Sequence, residues 1–146
     1  FYCLEIPAEH SQVYRSAHFV KNFTRAFGID PLVPYRVNTV LEEVLTSFIE
    51  AGEGNAPAAA IRLELEVSTD QLRVTVRNEG VEFNPMAPAQ GTNADQEDAD
   101  MREVSLKLIR GFTDDAKYQR CDDENVLTLA FGVSEPLQAD KKRLSG

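Results

Sequence analysis

The sequence predicts a two-layer α/β sandwich of the α+β class, with a mixed, mainly antiparallel sheet carrying three helices on one face. Three observations lead there. Between Val37 and Ile49 the apolar residues recur at steps of three and four, the period of a helix with one buried stripe. Between Ile61 and Val76 they recur at every second position, the period of strands with one buried face. The chain has 146 residues and no internal repeat, so a single core must bury both kinds of stripe.

Residues 1–7, Phe-Tyr-Cys-Leu-Glu-Ile-Pro, are rich in strand formers and stop at a proline, which cannot donate to a ladder; a first strand is expected near residues 2–6. From Ser11 to Phe27, Val13, Ala17, Val20, Phe23 and Phe27 keep helical spacing and Gly28 follows as a terminator. After the proline-punctuated link Asp30 to Pro34 comes the second helix, with Val37, Val40, Leu41, Val44, Leu45, Phe48 and Ile49 inward and Gly52 and Gly54 at its end.

Ile61, Leu63, Leu65 and Val67 then alternate with Arg62, Glu64 and Glu66, and Leu72, Val74 and Val76 alternate with Arg73, Thr75 and Arg77. The link Ser68 to Gln71 makes these strands, near 60–67 and 72–78, a hairpin whose outward glutamates and arginines can pair across it. Residues 84–100 have almost no large apolar side chain and read as a mobile loop. A short third helix carries Val104, Leu106, Leu108, Ile109 and Phe112. A second hairpin, with strands near 116–121 and 126–133, turns at Asp122 to Asn125. Residues 1–133 form one domain and 134–146 a polar tail.

Composition narrows the function. The formal net charge is −9, from 24 acidic and 15 basic residues, and such a field repels nucleic-acid backbones and anionic membranes. No apolar run reaches the roughly 20 residues that span a bilayer. Cys3 and Cys121 lie far apart and form no metal-type pair, which fits reduced thiols and a cytoplasmic protein. His10 and His18 lack a companion ligand set, and Asp95, Glu97, Asp98 and Asp100 lack the spacing of a calcium loop.

Two stretches carry candidate chemistry. Leu41-Glu42-Glu43-Val44-Leu45-Thr46-Ser47-Phe48-Ile49-Glu50-Ala51-Gly52 places Glu43 and Ser47 four residues apart, on one helical face and off the apolar stripe. Arg77-Asn78-Glu79-Gly80-Val81-Glu82-Phe83-Asn84 ends the first hairpin; read alone, Asn-Glu-Gly is a turn after a strand. Together they resemble the N-box helix and the G1 box, Asp-x-Gly-x-x-Phe-Asp, of the GHKL ATPases, and of the anti-sigma serine kinases among them. The resemblance runs in element order from about residue 3 to residue 133.

The resemblance implies a site and also shows where the chain departs from it. In the family the N-box glutamate assists the attacking group, an asparagine four residues on holds magnesium, and a histidine often follows after four more; here these positions are Glu43, Ser47 and Ala51. The G1 aspartate that accepts from the adenine amino group is replaced by Asn78, whereas Gly80 and Phe83 match. A charged acceptor contributes about 1.5 to 3 kcal/mol against about 0.5 to 1.5 for a neutral one. The glycine box that opens the next helix, where backbone amides cradle phosphates, is replaced by Arg102, Glu103 and Ser105. Glu103 would add repulsion there, while Arg102 can contact a phosphate directly.

Two functions follow from the resemblance. One is a non-catalytic regulator, like an anti-sigma factor, that binds a sigma factor or an anti-sigma antagonist protein, with the nucleotide site degenerate and no cofactor expected. The other is an active serine-protein kinase that phosphorylates such an antagonist. Glu43 would then position the hydroxyl, Ser47 would ligate magnesium, and Asn78, Gly80, Phe83, Arg102 and Ser105 would hold Mg-ATP or Mg-ADP. A lid from Asn84 to Asp100 would close over the phosphates. The resemblance also suggests a homodimer. A histidine-kinase catalytic domain is a further reading, for which no phosphoacceptor helix pair precedes the domain.

Overall fold

A computed structural model of the chain describes residues 1–53, 60–88 and 96–133; the expected polar tail lies outside them. The elements run β1 Tyr2–Ile6, a 3-10 turn His10–Gln12, α1 Val13–Ala26, α2 Leu32–Gly52, β2 Ile61–Val67, β3 Gln71–Glu79, α3 Gln96–Phe112, β4 Asp115–Cys121 and β5 Glu124–Gly132. The five strands form one sheet in the order β1-β2-β3-β5-β4. One face of it meets the helices.

All four ladders are antiparallel, so the parallel component expected of a mixed sheet is absent among the described residues. The physical reason is the position of β5. The helical connection through α3 does bring β4 parallel to β3, but β5 returns by a hairpin and takes the place between them.

Strand register builds the inner face in rows. Leu4, Leu63, Val76, Leu127 and Tyr118 align across the sheet, as do Tyr2, Leu65, Val74, Leu129 and Ala116. Against these rows α2 presents Val37, Val40, Leu41, Val44, Leu45, Phe48 and Ile49, all buried, and α1 adds Val20 and Phe23. Full burial of such side chains contributes about 1.5 to 3 kcal/mol each, which makes this stripe the main support of the fold. On the outer face the expected cross-strand pairs form: Arg77 bridges Glu64 at 3.1 Å and Glu124 at 2.9 Å, joining three strands.

The structure differs from expectation at several boundaries. Helix α2 begins at Leu32 and takes Pro34 into its first turn, where an amide hydrogen has no intrahelical acceptor and its loss costs little. Helix α3 begins at Gln96, so residues 96–100 of the expected loop are helical. The acidic side chains of Glu97 and Asp100 suit the first turns of a helix, where backbone amides point outward with partial positive charge, and Gln96 Nε2 donates to Asp100 Oδ1 at 3.0 Å. Residues 89–95 of that expected lid lie outside the described residues. Of the apolar residues that mark the third helix, Val104 is exposed, and Leu106 and Ile109 carry the buried side of α3. The second hairpin turns on Asp122 and Asp123 alone, with Asp122 at φ 55°, a conformation aspartate tolerates. Asn125 therefore belongs to β5.

Candidate functional site

The N-box-like helix, the hairpin end and the third helix converge on one cavity of about 720 Å³, lined among others by Ser47, Phe83, Asn84, Arg102 and Tyr118. Helix α2 supplies Ser47, Glu50 and Ala51 on one side, the segment after β3 supplies Glu82 to Asn84 with Ala87 and Pro88, and α3 supplies Arg102, whereas Glu43 and Ser105 meet each other between α2 and α3 outside this lining. Both Glu43 and Ser47 are half-buried, since α3 packs over the face that sequence reading leaves to solvent.

The polar groups of these residues are engaged with one another. Ser105 Oγ donates to Glu43 Oε2 at 2.6 Å. Ser47 Oγ donates to the Glu43 carbonyl at 2.7 Å and accepts from Arg102 Nη1 at 3.3 Å. Arg102 reaches across the cavity: Nη2 donates to the carbonyls of Asn84 and Ala87 at 3.0 and 3.2 Å, and Nε donates to Ala87 at 3.3 Å. Its guanidinium carbon lies 4.9 Å from the centre of the Phe83 ring, a cation–π stack, and Phe83 meets Phe48 edge-on at 6.0 Å. No described carboxylate pairs with Arg102, and burial pulls its pKa below the usual arginine value. Glu103 points elsewhere, pairing with Lys107 at 3.6 Å on the exposed side of α3, so it does not oppose an anion in the cavity as expected.

Asn78 and Gly80 do not line this cavity; Asn78 connects to its Phe83 wall through Asn125, a residue that sequence reading missed. Asn125 is fully buried and takes part in five hydrogen bonds. Its Oδ1 accepts from Phe83 N at 3.0 Å, Tyr118 Oη at 2.6 Å and Arg120 Nη1 at 3.1 Å. Its Nδ2 donates to Val81 O at 2.8 Å and to Asn78 Oδ1 at 3.4 Å. The oxygen of Asn78 that would accept from an adenine amino group is thus already facing an internal donor. Gly80 turns at φ +150°, which side chains rarely adopt, and this turn leads into the Val81 to Phe83 segment that Asn125 holds. The signal for Asn125 was the period of two in Leu127, Leu129 and Phe131, which continues back to it. Burial, then Glu82, raise the pKa of Tyr118 at the rim.

The arrangement bears on magnesium and a triphosphate. The amides of Arg102, Glu103 and Ser105 lie beyond the first four residues of α3, where backbone N–H groups are committed to intrahelical carbonyls and cannot cradle phosphates. The Arg102 guanidinium stands 3.3 Å from Ser47 Oγ, the atom that the N-box resemblance would assign to a metal. Among the described residues no group of three or more His, Cys, Asp or Glu is placed to hold a metal ion.

Residues 6–131 match the family model of the histidine kinase-like ATPase domain. The chain belongs to this family. A chain of the SiaB–SiaC complex from Pseudomonas aeruginosa shares the fold of this histidine kinase-like ATPase domain, with a TM-score of 0.59 and 16% identity over 91% of this chain and 90% of that one. The catalytic domain of the histidine kinase ThkA, in a nucleotide-free form, aligns with a TM-score of 0.49 and 14% identity over 91% of this chain and 99% of that one. No relative among curated proteins matches. Among the described residues, no helix is long and apolar enough to cross a membrane.

Proposed function

We propose that this histidine kinase-like ATPase domain acts as a regulatory protein-binding module, similar to an anti-sigma factor, whose nucleotide site is closed by its own side chains. Its partner would be a sigma factor or an anti-sigma antagonist protein. The observation that carries the reading is Arg102. It reaches Ser47, Asn84 and Ala87 and stacks on Phe83, which supports the reading that one side chain takes the place of metal and phosphates. The partnered states of Glu43 and Asn78 support the same conclusion. That the SiaB–SiaC structure is a complex of two proteins gives precedent on this fold for partner binding.

The active-kinase reading requires Glu43 to release Ser105, Arg102 to leave Ser47, and the first turns of α3 to unwind. Restoration tests the proposal. Replacing Arg102, Glu103 and Ser105 with glycine, together with Asn78→Asp and Ser47→Asn, returns the family's donors and acceptors, and the folded variant should bind Mg-ATP more tightly than the parent. A folded variant that binds no better would show that these substitutions did not close the site.

A further inference from the structure

A second cavity lies away from this site. It is a groove of about 900 Å³ between α1 and the first half of α2, and it shares no lining residue with the cavity around Arg102. Its α1 wall carries Tyr14, His18, Lys21 and Arg25, spaced 4, 3 and 4 residues apart along one helical stripe. Its α2 wall carries Tyr35, Asn38, Thr39 and Glu42. Tyr14 and Tyr35 are 60% and 63% exposed, large rings left in solvent at the groove's rim.

Charge distinguishes this face from the rest of the molecule. Residues 10–40 hold four cations, Arg15, Lys21, Arg25 and Arg36, against one carboxylate, Asp30, in a chain of formal net charge −9. Among the described residues none of these four cations forms an ion pair, whereas Arg62, Arg73, Arg77, Lys107 and Lys117 all do. Only Glu42 brings a carboxylate to the groove wall. At its base, Asn38 Nδ2 donates to Ala17 O at 3.3 Å, but Asn38 Oδ1 is buried without a hydrogen-bond donor, a cost that an incoming donor would relieve.

We infer that the α1–α2 groove docks an acidic amphipathic helix of a partner protein. Two neighbouring helices form a trough that accepts a third, and the stripe from Tyr14 to Arg25 is about 16 Å long at 1.5 Å per residue, three turns of helix. Apolar anchors would enter between the tyrosines, carboxylates would meet Lys21 and Arg25, and a side-chain donor would reach Asn38. The acidic remainder of the protein repels extended polyanions, which favours a helix over nucleic acid. The inference rests on the protein-binding reading and names the surface that performs it.

The test uses the full chain, 15N-labelled, titrated with a synthetic helical peptide of leucine, phenylalanine and glutamate, and with the same peptide carrying lysine in place of glutamate. The acidic peptide should shift amides along α1 and the first half of α2, and binding should weaken with added salt. The exposed double substitution Lys21→Glu and Arg25→Glu should weaken it at least tenfold, with the spectrum otherwise unchanged. No shift, shifts centred elsewhere, or equal response to the lysine peptide would overturn the inference. So would tighter binding of a short single-stranded oligonucleotide or an anionic vesicle to this face. Because the cavity around Arg102 is not touched, an outcome here is independent of whether the protein binds ATP, which separates this test from that of the closed nucleotide site.

Discussion

The hydroxyl of Ser105 donates a 2.6 Å hydrogen bond to the carboxylate of Glu43, joining the third helix to the glutamate of the second that the N-box resemblance singles out. A bond to a charged acceptor contributes about 1.5 to 3 kcal/mol when the site is shielded, and the half-burial of Glu43 lowers this to about 1 to 2 kcal/mol. Ser105→Ala should therefore reduce unfolding free energy by that amount in urea titration. An unchanged midpoint would mean that Glu43 is satisfied without Ser105.

Arg102 fastens the segment after β3 to the helices. Its removal in Arg102→Ala leaves the Ala87 carbonyl without the guanidinium and the Asn84 carbonyl with the Ala87 amide alone, and exposes one side of the Phe83 ring. Hydrogen exchange at the amides of Met86 and Ala87 should accelerate by tenfold or more while the core strands keep their protection. Arg102→Lys should not restore the slow rate, because a single ammonium cannot reproduce the planar fork. Exchange that is unchanged in Arg102→Ala would remove Arg102 as the closing element.

Asn125→Ala leaves the Phe83 amide, the Val81 carbonyl and the Tyr118 hydroxyl without their shared partner. A buried polar hub lost in this way should cost about 3 to 5 kcal/mol, among the larger effects of single substitutions. Chemical denaturation measures it, and a cost below about 1 kcal/mol would show that water takes over the hub.

Burial and the nearby Glu82 raise the pKa of Tyr118, and its hydroxyl donates to Asn125 only when protonated. Between pH of about 10, where an unfolded tyrosine ionises, and the higher folded value, the unfolded chain holds fewer protons than the native one. This contribution to stability is complete below the unfolded pKa and is lost as pH rises through the folded one. Ultraviolet titration should show one tyrosine ionising late, and Tyr118→Phe should abolish that phase. A late phase that persists in Tyr118→Phe would assign the shift elsewhere.

The helical and period-two stripes made the two layers legible, because α2 and the strands bury the residues their spacing selected. The all-antiparallel order was not legible, since no local pattern states that β5 inserts between β3 and β4. Glu43, Ser47, Phe83, Arg102 and Ser105 were legible as a constellation through family spacing; the structure places Ser47, Phe83 and Arg102 on one cavity and pairs Glu43 with Ser105 outside its lining. Their mutual partners were not, because hydrogen bonds between elements 55 and 62 residues apart depend on how α3 docks. Asn125 was hidden by its acidic neighbours, which read as a turn, although its place in the alternation of β5 marked it as inward.

Isothermal titration of the purified chain with Mg-ATP tests the closed site most directly. With Arg102 across the cavity and the amides of α3 committed to the helix, no saturable heat is expected up to millimolar nucleotide. Magnesium-dependent binding tighter than about 100 µM, equivalent to about 5.5 kcal/mol, would contradict it.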